Sequence, residues 1–148
     1  MDHAGGTGFL GAWILKTLLE DGFMVRAAVR SQSKADYLKS RFVEHEDKLE
    51  FVIVEDITTP GIFDEAVKGV DAVLHTASPL TGPDPLVEPD KLIKPAVDGT
   101  LGVLKSALNS PTVQRIVVTA SVAACFDLQP QYTPITYNEV RMASSTTT

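Results

Sequence analysis

Cysteine is almost absent from this chain. Cys125 stands alone among 148 residues, which excludes an internal disulfide and agrees with a reducing compartment. Basic residues are in the minority: 13 Lys and Arg face 19 Asp and Glu, for a formal net charge of −6. Without a basic excess the chain lacks the electrostatic footprint of a nucleic-acid or anionic-membrane surface. Long apolar runs are missing as well. The run that begins at Phe9 is broken by Lys16 and Glu20, too soon to span a bilayer. The first residues are Gly-rich rather than basic and then apolar, so no secretory leader is expected. These absences point to a cytoplasmic protein with neither nucleic acid nor membrane as partner.

What is present is an ordinary globular composition, 44% hydrophobic and 22% charged, long enough for one domain with a substantial core. Helix and strand signals alternate along it. Phe9, Ala12, Trp13, Leu15, Leu18 and Leu19 recur at helical spacing and predict a helix over 9–20, stopped by Gly22. Strands are expected at 24–29, 51–54, 72–76 and 115–120. Ser33-Lys34-Ala35-Asp36 resembles a capping box opening a helix to about Phe42. A short helix is expected over 63–67, ending near Gly69, and a long one over 90–109 with Pro95 in its first turns or kinking it. Five prolines and glycines between 79 and 89 mark a loop. The alternation predicts an α/β fold, a doubly wound parallel sheet in three layers with ligands at the carboxyl ends of its strands. The domain is expected to end near residue 127, with 128–148 as an irregular tail.

Ala4-Gly5-Gly6-Thr7-Gly8-Phe9-Leu10-Gly11 is a glycine fingerprint at the start of the first helix. Gly5 permits the tight turn, Gly8 lets backbone amides approach a pyrophosphate, and Gly11 lets the helix lie close to the sheet. Such turns also serve plain backbone geometry, so the motif needs company. Arg30 supplies some. It ends the second expected strand, where an acidic residue would hold a ribose hydroxyl and an arginine accommodates a 2′-phosphate. Lys34 adds a second cation one turn on; the alternative for both is a solvated surface charge.

Together with Asp56-Ile57, His75-Thr76-Ala77-Ser78-Pro79 and Thr119-Ala120-Ser121, this pattern resembles the extended short-chain dehydrogenase/reductases over residues 4–127. The nearest branch is the NADPH-dependent aldehyde, dihydroflavonol and cinnamoyl-CoA reductases. The resemblance implies a Rossmann-like domain that binds NADP through Gly5, Thr7, Gly8, Phe9, Leu10, Gly11, Arg30 and Lys34. Asp56 would take the adenine amino group, with Ile57 on the ring, and Thr76, Ala77 and Ser78 would line the nicotinamide ribose. Ser121 matches the family's catalytic serine, which hydrogen-bonds the carbonyl of an aldehyde or ketone substrate. No metal is implied. His75 reads as a packed strand-end histidine and Cys125 as a small buried hydrophobe.

The family also uses a tyrosine acid with a lysine four residues later. This chain has no Tyr-x-x-x-Lys; Tyr137 and Arg141 imitate the spacing by chance. Only Met1, Asp2, His3 and Ala4 precede the fingerprint, where the first, central strand belongs. The expectation is therefore a carbonyl reductase shortened at both ends, with most of its first strand missing, low stability, and little or no turnover. Two alternatives stay open: a non-catalytic NAD(P)-binding protein or gene fragment, and a sugar-nucleotide epimerase or dehydratase.

Overall fold

A computed structural model describes residues 8–78 and 90–121. The chain forms two compact units, Met1–Val118 and Thr119–Thr148, and of the second only residues 119–121 are described. The expected loop at 79–89, the expected tail at 128–148, Cys125 and Tyr137 lie outside the described residues.

Helix α1 (Phe9–Glu20) begins at Gly8, whose backbone is extended. Gly11, Leu15 and Leu19 are buried at intervals of four, the spacing that keeps one helical stripe inward. It stops where the sequence predicts. Gly22 sits at φ +87°, its amide donates to the Leu19 carbonyl at 3.1 Å, and the Phe23 amide donates to Leu18 at 3.0 Å. That pair of bonds is the Schellman closure, which needs a left-handed residue. Strand β1 (Val25–Val29) follows directly.

Helix α2 (Gln32–Arg41) corrects the expected start at Ser33. Ser31 is the N-cap, its hydroxyl 2.9 Å from that of Ser33. Asp36 accepts from Gln32 Nε2 at 2.8 Å instead of closing a capping box. Beyond a short 3-10 turn (Val43–His45), β2 (Leu49–Ile53) starts two residues before the expected strand. The helix expected at 63–67 does not form. Residues 57–69 fold as successive turns, most closed by three-residue bonds such as Asp64 to Gly61 at 3.0 Å and Lys68 to Glu65 at 3.4 Å. Gly61 and Gly69, both at positive φ, interrupt any helical course. The apolar spacing still holds, since Phe63 and Val67 are buried. Strand β3 (Ala72–His75), helix α3 (Asp90–Asn109, with Pro95 in its second turn) and strand β4 (Arg115–Val118) complete the order.

Strand β1 pairs with β2 in parallel, from Val25 opposite Leu49 to Val29 opposite Ile53. Strand β3 pairs with β4 in parallel, from Ala72 opposite Arg115 to His75 opposite Val118. Among the described residues these are two separate two-stranded sheets. Period-two alternation sorts the core into layers. On one face Leu15 and Leu19 of α1 meet Ala27 and Val29 of β1 and Ala35 and Leu38 of α2. On the other, Ala28, Val52 and Val73 pack against Val54, Phe63 and Val103 of α3. Helices therefore cover both faces, the three-layer arrangement expected of a doubly wound fold. Between β1 and β3 lies a cleft of about 680 Å³. No helix among the described residues is long and apolar enough to cross a membrane.

Candidate cofactor-binding site

The expected site residues described in the first unit lie just beyond the carboxyl ends of β1, β2 and β3 and in the first turns of α1 and α2. The first helical bond of α1 runs from the Ala12 amide to the Gly8 carbonyl at 2.9 Å. The amides of Phe9, Leu10 and Gly11 thus precede the first intrahelical bond. No acidic residue stands in this first turn, and Gly8 has no side chain to cap it. Among the described residues no side chain caps the positive end of the helix dipole, an end that favours an anion. Phe9 and Leu10 are exposed there and Gly11 is buried. Gly5 and Thr7 lie outside the described residues.

Arg30 follows β1 directly and is exposed; Lys34 lies in the first turn of α2, half-buried. The Val54 amide donates to the Val29 carbonyl at 2.8 Å, which holds the ends of β1 and β2 side by side. Asp56, just beyond, uses one carboxylate oxygen, Oδ1, to accept from the Thr58 amide at 2.9 Å and the Thr58 hydroxyl at 2.8 Å. Those two bonds, with help from the positive charge of Arg30, hold its carboxyl below the usual carboxylate range. Arg30 and Asp56 therefore act on one patch of surface. Thr58 was not singled out in the sequence, although Asp-x-Thr is a legible Asx-turn signal.

Ile57 is turned inward, and Gly99 of α3 makes room for it. A Cβ at residue 99 would lie 2.6 Å from Ile57 Cδ1 and 2.9 Å from its Cγ1, so any side chain there would force Ile57 to shift. At the end of β3, Thr76 and Ala77 are half-buried and Ser78 is exposed. Gly11, Arg30, Ile57, Thr76 and Ala77 all line the cleft between β1 and β3. Five of the expected cofactor residues thus share one cavity, and Asp56 adjoins it through Arg30. Ser121 is exposed and belongs to the second unit.

His75 is buried, at 6% exposure, with Nε2 3.5 Å from the Thr100 hydroxyl. Packing rather than chemistry accounts for it, as the sequence suggests. Burial holds its pKa below the ordinary 6.5. The unfolded chain takes up this proton near pH 6.5 and the folded chain only at lower pH. Stability from His75 is therefore complete above about pH 6.5 and is lost as pH falls through that window, by at most roughly 1.4 kcal/mol per pH unit. Thermal midpoints measured from pH 8 to 5.5 should fall more steeply in the wild type than in His75→Asn; equal slopes would refute this.

Residues 4–144 match the family model of the 3-beta hydroxysteroid dehydrogenase/isomerase family. The chain is 40% identical over 146 residues to an uncharacterized oxidoreductase of Schizosaccharomyces pombe, covering 91% of this chain and 44% of that protein. It is 38% identical over 129 residues to the ketoreductase CTB6 of Cercospora nicotianae, with 82% of this chain and 36% of that one covered. Among solved structures, yeast methylglyoxal/isovaleraldehyde reductase Gre2 in complex with NADPH superposes with a TM-score of 0.75 at 35% identity, over 83% of this chain and 37% of that one. The chain spans less than half the length of these relatives. The fold is that of a partial Rossmann-like α/β domain.

Proposed function

The chain belongs to the 3-beta hydroxysteroid dehydrogenase/isomerase family, and we propose from that footing that it carries the NADP-binding part of a carbonyl reductase. One observation carries the reading: Arg30 and Gly11, from the end of β1 and the first turn of α1, line the same cleft. The amides at the start of α1 would hold the pyrophosphate of such a cofactor, and the Arg30 guanidinium, whose planar fork matches a phosphate dianion, would hold its 2′-phosphate. The residues present fit such a cofactor, with a cation, an open helix N-terminus and an apolar wall in one place.

Bound NADPH supplies the hydride for reduction of an aldehyde or ketone. The chain's own part begins with orientation. Asp56 keeps Oδ1 on Thr58, and its Oδ2 would accept from the adenine amino group; Ile57, held against Gly99, would pack on the ring. Thr76, Ala77 and Ser78 would line the nicotinamide ribose. Ser121 donates its hydroxyl hydrogen to the substrate carbonyl oxygen, where negative charge develops. Support for the roles of Asp56, Thr76, Ala77 and Ser78 comes from their place beyond the strand ends of the first unit, and for that of Ser121 from the likeness of Thr119-Ala120-Ser121 to the family's serine segment and from relatives whose names describe reductases. Because no Tyr-x-x-x-Lys occurs in the 148 residues, no proton donor is assigned. Titration calorimetry should show one saturable NADPH site, with NADH bound at least tenfold more weakly. Equal affinities would remove the 2′-phosphate role of Arg30, and absence of binding to either would overturn the proposal.

A further inference from the structure

Thr58 holds one of the two opposite charges beyond the strand ends, and holds it away from the other. The Val54 amide donates to the Val29 carbonyl at 2.8 Å, so the chain leaves β1 and β2 side by side. Arg30 comes one residue after Val29 and Asp56 two after Val54, and both are exposed. The guanidinium is near enough for its charge to lower the Asp56 pKa, though by less than either Thr58 bond does. Yet among the described residues no ion pair joins the two. Thr58 supplies the reason. Its amide and its hydroxyl donate to the same carboxylate oxygen, at 2.9 and 2.8 Å. A carboxylate oxygen has two lone pairs, so Oδ1 is fully used and the carboxyl group is fixed on the Thr58 side of its turn. The amide bond closes an ordinary Asx-turn. The hydroxyl bond is the part that needs a Ser or Thr at position 58.

We propose that Thr58 is a positioning residue that keeps Asp56 from pairing with Arg30, and so leaves the guanidinium for the 2′-phosphate of NADP. With the cofactor reading above as its footing, this makes Thr58 a determinant of NADP-over-NAD preference that touches no cofactor atom. A guanidinium committed to a neighbouring carboxylate has its charge partly neutralised and one edge of its fork occupied. An exposed ion pair is a weak contact, so its closure would divert Arg30 by about two- to fivefold rather than abolish binding. That loss falls on NADPH alone, because NADH has no 2′-phosphate. Whatever Thr58 does for the fold, or for an adenine contact of Asp56, falls on both cofactors equally.

Calorimetric titration of the whole 148-residue chain with NADPH and with NADH reads the preference as a ratio of Kd values. Thr58→Val keeps the side-chain shape and removes the hydroxyl, and should cut that ratio by about two- to fivefold. Thr58→Ser, which keeps the donor, should restore it. Asp56→Asn combined with Thr58→Val should restore it too, since no carboxylate is then left to pair with Arg30. A second measurement needs no cofactor: the Asp56 pKa followed by carboxyl-carbon NMR, with and without Arg30→Gln. Removing Arg30 should raise that pKa more in the Thr58→Val background than in the wild type. Equal responses in the two backgrounds would overturn the proposal. So would a ratio unchanged by Thr58→Val, or one that the added Asp56→Asn fails to restore. Equal affinity of the wild type for NADPH and NADH would overturn the role of Arg30 instead, and the NMR comparison would still decide what Thr58 does.

Discussion

Arg30→Ala should raise the Kd for NADPH by roughly 10–100-fold and leave that for NADH within about threefold. Hydrogen bonds to a charged group contribute about 1.5–3 kcal/mol, and each 1.4 kcal/mol is tenfold in affinity. The guanidinium is exposed, so screening trims the effect and higher salt should shrink it further. Arg30→Lys should fall between the two, because an ammonium keeps the charge and loses the bidentate fork. Calorimetric titrations of the three proteins with both cofactors decide the matter. A loss shared equally by NADPH and NADH would assign Arg30 to the architecture of the strand end rather than to the 2′-phosphate. Its neighbour Asp56 makes that distinction worth drawing, since removing the cation also removes a charge that favours the Asp56 carboxylate.

A second large effect is expected far from any polar group. Leu19 is fully buried in the cluster that joins α1 to β1 and α2. Leu19→Ala removes three heavy atoms from a packed site and should cost about 2–5 kcal/mol, transfer and cavity combined. Against a typical total of roughly 5–15 kcal/mol, that is anywhere from about an eighth of the stability to all of it. It corresponds to a Tm lower by roughly 5–20 °C. Leu108→Ala is the matched control, since Leu108 is 80% exposed and its loss should stay within about 0.5 kcal/mol. Denaturant midpoints for both variants test the contrast, and similar costs would mean that the α1 layer is not packed as described. Binding should weaken with Leu19→Ala as well, because the same layer fixes where the first turn of α1 points.

Helix α1 was legible to the residue because two signals agree there, a four-residue apolar stripe and a glycine where the chain needs positive φ. The start of α2 was not. Two serines and a glutamine precede its apolar positions, and either serine can serve as a cap; Ser31 wins because it already leaves β1 in an extended conformation. Residues 63–67 show the opposite failure. Phe63 and Val67 are spaced as on a helix and are buried as on a helix, yet the flanking glycines at 61 and 69 let tighter turns place the same side chains inward. For the site, strand ends could be read from apolar runs, so the sequence already puts Arg30, Asp56 and Thr76 just beyond the ends of strands, where the structure has them. The Thr58 bonds and the Gly99 contact depend on folded geometry. The pairing of strands is likewise absent from local patterns: nothing in the run at 24–29 or at 72–76 says that β1 and β3 share no ladder.

Arg26 carries a consequence for how the chain settles on one pairing. Its side chain donates to Glu50 at 3.0 Å, its register partner on β2, and to the carbonyls of Ala66 and Lys68 at 3.1 and 2.7 Å. A slip of β1 by one residue would swing this guanidinium to the opposite face, among Leu15, Leu19 and Leu38. All three bonds would break together, and a charge would enter an apolar layer without a partner. In a strand as short and as small-sided as Val-Arg-Ala-Ala-Val, where alanine fits either face, that one arginine works as a locating pin during assembly.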